Sequence, residues 1–336
     1  MVSGLAFVFV FVILGFGWGF GWFFALPPSA QDLRTVVWID TDPALGEPDR
    51  DVDDGLALVQ AFHSPELVIR GISVVSGNVP LDRGLPIARR LVRDHGPAGL
   101  NVFAGAPGSG ALGVETPASR AMAEAVRRER LTILALGPAT NVATMLMTNP
   151  ELGARIVRIV AVAGRRPGQR FITGTTNRKG HRDFNFELDP EAFRVLLSSG
   201  VPLVLTPFEI SSKIWLTGAD LDRLDGGSSA ARMLAPPARR WLALWTRLFD
   251  VSGFNPFDAL AVGYAAAPEG FLCDTLPVGI RTSADDETEP GMQGSQVESK
   301  PYLLASNDFT AAPARALYCS TASAGFKQDL LDRLAR

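Results

Sequence analysis

Histidine, lysine, tyrosine and cysteine are all scarce in this chain of 336 residues. Three histidines (His63, His95 and His181) are too few for a histidine-rich metal centre. Two cysteines, Cys273 and Cys319, exclude a disulfide-dense scaffold and a four-thiolate zinc site. Neither has a base or a second thiol near it in sequence, so a structural role is expected for both. Basic charge is not in excess either: 32 Lys and Arg stand against 35 Asp and Glu, a formal net charge of −3. Nucleic-acid binding needs a basic patch or stripe, and nothing here supplies one. Hydrophobic residues make up 47% and charged residues 20%, a globular composition rather than a disordered one.

One long apolar run is present. Leu5 to Leu26 carries no charged side chain, and no Lys or Arg precedes Arg34. A run of about 18 apolar residues is long enough to cross a bilayer. A secretory signal normally opens on a basic stretch, which is missing here. Residues 1–33 therefore read as an anchor, an export signal or a non-native extension created by a start codon placed too early. Membrane contact through residues 5–26 follows from the first two. The location is cytoplasmic if 1–33 are not native, and membrane-anchored or exported otherwise. Residues 34–336 are taken as one large domain; whether it forms a homo-oligomer stays open.

From Thr35 onward, short apolar runs alternate with amphipathic segments. Strands are expected at 35–40, 67–75, 101–104, 131–136, 156–163 and 202–206. Helices are expected at 55–63, 81–94, 118–130, 140–148, 190–198, 239–249 and 258–267. The last seventy residues are less regular and leave room for a hairpin or two, and 283–299 reads as a polar surface loop. Continuous apolar strands alternating with helices predict an α/β fold: a mainly parallel, open sheet with helices on both faces.

What the chain has in excess is acid after its first strand. Residues 40–54 read DTDPALGEPDRDVDD, and seven of these fifteen are Asp or Glu. Asp40 and Asp42 end a buried strand, while Asp53 and Asp54 open the next helix. In open α/β sheets that edge is where ligands bind. Acids at a helix N-terminus complement its dipole, which accounts for Asp53 and Asp54 but not for Asp40 and Asp42. Crowded carboxylates raise each other's pKa unless a cation neutralises them. Oxygen donors without His or Cys favour a hard cation, Ca²⁺ or Mg²⁺.

The pattern Asp40-x-Asp42-Pro43 running on to Asp53-Asp54 resembles the signature of the inosine/uridine-type nucleoside hydrolases. The stretch between Asp42 and Asp53 is longer than that family's common form, so the loop must bulge outward. Four further stretches match in order: Ser76-Gly77-Asn78; Leu136-Gly137-Pro138-Ala139-Thr140-Asn141; the segment holding Asn177, Asp183 and Asn185; and Phe257-Asp258-Ala259-Leu260-Ala261. The resemblance covers Val36 to Pro268.

It implies hydrolysis of the N-glycosidic bond of ribonucleosides. It implies Ca²⁺ held by Asp42, Asp54, the carbonyl of Leu136 and Asp258. Asp42 would be general base and Asn78 would orient the water. Asp53, Asn177, Asp183, Asn185 and Asp258 would hold the ribose hydroxyls. The family usually has Glu at the position of Asp183. Many members have His at the position of Phe257, where a ring would stack on the base instead. His181 is then the candidate acid for the leaving base, and purine nucleosides are the expected preference. Two rivals remain. One is a ribose- or nucleoside-binding relative without turnover. The other is a haloacid-dehalogenase-like phosphatase, suggested by Asp40-Thr41-Asp42; none of the four lysines has the sequence context that class needs.

Overall fold

The computed structural model describes residues 34–174, 180–285, 299–312 and 314–336. The expectations for residues 1–33, for Asn177 and for most of the polar loop 283–299 lie outside the described residues. Arg34 to Arg336 forms one compact unit. Among the described residues, no helix is long and apolar enough to cross a membrane.

The described residues form eleven strands: β1 (Thr35–Thr41), β2 (Leu67–Val74), β3 (Val102–Ala104), β4 (Leu131–Ala135), β5 (Ile156–Ala161), β6 (Leu203–Leu205), β7 (Leu216–Thr217), β8 (Gly253–Phe254), β9 (Phe271–Ala284), β10 (Ser299–Ala305) and β11 (Ala314–Ala322). The helices are α1 (Asp53–Phe62), α2 (Leu81–His95), α3 (Pro117–Arg128), α4 (Thr140–Thr148), α5 (Phe184–Leu188), α6 (Pro190–Ser198), α7 (Phe208–Ser211), α8 (Gly218–Asp225), α9 (Ser229–Phe249), α10 (Phe257–Ala266) and α11 (Phe326–Ala335).

Nine strands form one sheet in the order β10-β9-β11-β6-β5-β4-β1-β2-β3. Every pairing from β11 through β6, β5, β4, β1 and β2 to β3 is parallel. β9 is antiparallel to both of its neighbours, β10 and β11. Side chains alternate between faces, as strand geometry demands. Val37, Ile39, Leu134, Val160 and Val204 enter a core shared with α1, α2, α8, α9, α10 and α11. Trp38, Ile133, Ala135, Ile159, Leu203 and Leu205 enter a second core with α3, α4 and α6. Both faces are therefore covered, as the apolar strands predict.

Two regions depart from the sequence reading. Helix α9 begins ten residues before Arg239, running through Pro236 and Pro237. Proline lacks the N–H that helix interiors use, which is why the sequence suggested only the later half. The C-terminal region is a regular three-stranded antiparallel extension closed by α11. There Cys319 lies directly opposite Cys273 on the neighbouring strand, and the two form a disulfide across 46 residues of sequence. Separation in sequence hid this pairing.

The chain leaves β1 towards β2 on one side, whereas β4 lies on the other. The carboxyl ends of β1 and β4 thus meet at the point where strand order reverses. Crevices at such points bind ligands in open α/β sheets.

Candidate active site

The acids at the end of β1 face different ways. Asp40 points into the fold: its Oδ1 accepts the Ser73 hydroxyl and the Asn141 amide, the latter at 2.8 Å. Burial pushes its pKa up to about 7. Asp42 opens towards the cavity side. Its Oδ2 accepts the backbone N–H of Asn78 at 2.6 Å. Gly77 is required for that approach, because a Cβ there would lie 2.0 Å from Asp42 Oδ2. Asp54 is clamped by the Thr41 hydroxyl, by the Asp42 N–H at 3.0 Å and by the Asn78 amide at 3.3 Å. Asp53 accepts the Asp54 N–H at 3.1 Å.

From the opposite side α10 brings Asp258 in its first turn. One carboxylate oxygen each from Asp53, Asp54 and Asp258 lies within 4.8 Å of the others. All are buried. Burial, and then repulsion among Asp42, Asp51, Asp53 and Asp54, raises the pKa of Asp42, Asp53 and Asp258 well above the usual carboxylate range. None of these groups forms an ion pair with a described Lys or Arg. Four buried carboxylates without a counter-charge suit a hard cation. Asp53, expected only at the ribose, is one of the three acids that converge, whereas Asp42, expected as a metal ligand, is not among them; its carboxylate is turned to the Asn78 N–H instead. The Leu136 carbonyl, the remaining expected ligand, accepts the Asn185 amide at 2.6 Å. Asn185 also donates to the Val162 carbonyl at 3.1 Å. It therefore ties the ends of β4 and β5 together, a part the sequence did not suggest.

A cavity of about 500 Å³ opens above these acids. Asp42, Asp53, Asn78, Leu136, Asp183, Asn185 and Asp258 line one end. Asp183 accepts the Gly164 N–H at 2.7 Å, and burial raises its pKa to about 6 against the pull of Arg165. The other end is apolar. Phe171, Phe208 and Phe257 form a stacked series with centroids 4.6 and 6.2 Å apart. Helix α9 faces it with Trp241, Trp245 and Phe249. His181 lies in this end, edge-on to Phe249 at 5.0 Å, and its backbone N–H donates to the Phe171 carbonyl at 2.6 Å.

The structure places Asp42, Asn78, Asp53, Leu136, His181, Asp183, Asn185, Phe257 and Asp258 around one cavity, with Asp54 beside Asp42 and Asn78. The sequence reading missed Asp51, which lines the cavity from the long loop and whose Oδ1 accepts the N–H groups of Val52 and Asp53 at 2.7 and 3.2 Å. It missed Phe171 and Phe208 as well. Asp51 could have been found from the excess of acids; isolated aromatics carry no such signal.

The family model described as inosine-uridine preferring nucleoside hydrolase matches residues 37–301. A pyrimidine-specific ribonucleoside hydrolase RihA of Klebsiella pneumoniae is 30% identical over 276 residues, 73% of this chain and 84% of the relative. The RihA of Citrobacter koseri is 32% identical over 270 residues, 71% of this chain and 84% of the relative. Two solved structures share the fold. A plant nucleoside hydrolase, PpNRh1, superposes with a TM-score of 0.72 at 21% identity, covering 90% of this chain and 99% of that one. A purine-preferring ribonucleoside hydrolase from Gardnerella vaginalis superposes with a TM-score of 0.69 at 21% identity, covering 90% and 98%.

Proposed function

Because the chain belongs to the inosine-uridine preferring nucleoside hydrolase family, a family of hydrolases acting on ribonucleosides, we propose a calcium-dependent enzyme that splits ribonucleosides into free base and ribose. The observation that carries this reading is the two-ended cavity: converging buried acids at one end and a flat apolar wall at the other. An N-glycosidic bond joins a polyhydroxylated ring to a flat one, and its cleavage builds positive charge on the sugar.

Asp54 and Asp258, whose oxygens converge with one of Asp53, would hold the cation, together with Asp42 and the Leu136 carbonyl that the resemblance implies. A calcium ion bound there would supply positive charge to offset these acids and would lower the pKa of water. Asp42 would accept the proton of the attacking water. Its Oδ2 is held by Asn78, which leaves Oδ1 for the transfer. Asn78 presents its side-chain amide beside the same carboxylates and orients the water. Asp53, Asp183, Asn185 and Asp258 bind ribose hydroxyls, and the resemblance adds Asn177 to this set. Charged acceptors also favour the cationic transition state. Phe257 stacks on the base and His181 donates a proton to it.

The long flat wall supports a preference for purine ribosides. The two RihA relatives are named for pyrimidine ribonucleosides, and this makes a pyrimidine preference the second reading. Competition between inosine and uridine in one reaction decides between them. Residues 1–33 keep their reading as a membrane anchor, an export signal or a non-native extension, with membrane contact through 5–26 in the first two cases, and a homo-oligomer is the assembly to look for. Release of free base from inosine, followed with and without calcium, tests the proposal. No release with calcium present would return the chain to a ribose- or nucleoside-binding role without turnover.

A further inference from the structure

Arg165 is among the largest fully buried side chains of the described residues, with 2% of its surface exposed. Its backbone is fixed like that of a strand residue. The Arg165 N–H donates to the Leu303 carbonyl at 3.0 Å, and its carbonyl accepts the Ala305 N–H at 2.9 Å. Its guanidinium lies between two rings, 3.8 Å from the centroid of Phe171 and 4.9 Å from that of Tyr302. Phe171 stacks on Phe208, which stacks on Phe257. The guanidinium therefore closes one end of a column whose other members wall the apolar end of the cavity. It lies 3.8 Å from Glu187, whose Oε1 accepts the Asp183 N–H at 2.9 Å.

We propose that Arg165 is a positioning residue for this reaction: through Phe171 it fixes the stacked wall that receives the base, and by its charge it supports Asp183 at the sugar end. The proposal rests on the nucleoside-hydrolase reading of the cavity. A planar cation packs flat against a ring, and a desolvated contact of this kind is among the strongest cation–π geometries. Lysine carries the charge but no flat face. The Arg165 charge also opposes the effect of burial on the Asp183 carboxyl, keeping it an acceptor for a hydroxyl. One side chain therefore serves both halves of the substrate, and its two contributions separate by substitution.

The experiment uses the full chain with calcium. It compares wild type, Arg165→Lys and Arg165→Met by steady-state kinetics on inosine and by competitive inhibition with D-ribose. In Arg165→Lys the KM for inosine should rise about tenfold, the scale of one lost desolvated cation–π contact. Its kcat and its Ki for ribose should stay within about twofold of wild type, a factor worth little free energy. In Arg165→Met the same rise in KM should be joined by a weaker Ki for ribose, because the charge is gone as well. Wild-type KM and Ki in both variants would overturn the proposal. So would an equal loss of kcat in both with KM and Ki unchanged, since that is the mark of a folding role. If Arg165→Met does not fold, Phe171→Leu tests the contact from its other side: inosine KM should rise while ribose Ki holds, and an unchanged KM overturns the proposal. Failure of the functional reading looks different. Wild type would then release no base from any ribonucleoside, and the assignment of Arg165 would fall with it.

Discussion

The two ends of the cavity are made in opposite ways. The acidic end comes from strand ends and the turns that follow them: Asp42 after β1, Asn78 after β2, Leu136 after β4, and Asp53 and Asp54 at the start of α1. Asp42 and Asp54 there are held by hydrogen bonds from backbone or side-chain neighbours. The aromatic end has few such ties. Phe171, Phe208, Trp245 and Phe257 come from four separate segments and meet only through ring contacts. Chemistry needs atoms fixed in direction, and hydrogen bonds supply direction. Recognition of a flat base needs area, which packing supplies. Substitutions at the acidic end should therefore change turnover, and those at the aromatic end should change which substrate is used.

The sharpest contrast is at Asp42. Asp42→Asn keeps the shape and one oxygen acceptor but cannot take a proton, so kcat on inosine should fall by about 10²-fold or more. Steady-state turnover of the purified variant checks this; near-normal kcat would move the base role to another carboxylate.

At the aromatic end, His181→Ala should slow inosine by no more than about 10²-fold, the lower edge of general-acid effects. It should leave a nitrophenyl riboside, whose leaving group needs no proton, nearly unchanged. Equal slowing of both substrates would make His181 a packing residue against Phe249. A smaller effect separates inosine from uridine. Extra stacked area on the column ending at Phe257 should favour inosine by up to about tenfold in kcat/KM. Faster cleavage of uridine would remove stacking as the basis of choice and support the reading suggested by the RihA relatives.

How much of this was legible in the sequence follows the same division. The acids, Asn78 and the turn at Leu136 lie in short runs whose spacing carries their placement, and the strands that support them are continuous apolar stretches. Helix α6 was legible because Asp189 caps it by accepting the Ala192 N–H at 3.0 Å and Pro190 follows. The first half of α9 was hidden by Pro236 and Pro237. Of the column of Arg165, Phe171, Phe208 and Phe257, only Phe257 was legible, through the resemblance. No local pattern marks rings that meet only after the sheet has formed. The pairing of Cys273 with Cys319 was hidden for the same reason.

Stability gives the smallest effect and the cleanest sign. Asp40 and Asp51 have pKa values raised to about 7, and those of Asp42, Asp53 and Asp258 are raised well above normal. Without metal the folded chain therefore holds protons that the unfolded chain has lost. Stability should fall as pH rises from about 4, the unfolded carboxyl pKa, through about 7. Thermal melts of chelated protein should show Tm decreasing by a few degrees across that range. Calcium should restore it at pH 7 by binding only the folded state. Asp54→Ala and Asp258→Ala should lose the calcium gain. A Tm that calcium does not change in the unsubstituted chain would count against the metal site.

The account rests most heavily on the acidic end being a calcium-dependent hydrolytic centre. Its most direct measurement is free-base release from inosine by the full chain, first stripped with chelator and then reloaded with calcium. The account predicts no release from the stripped protein and recovery of turnover on adding calcium. Full turnover in the presence of excess chelator, or none after calcium is restored, would contradict it.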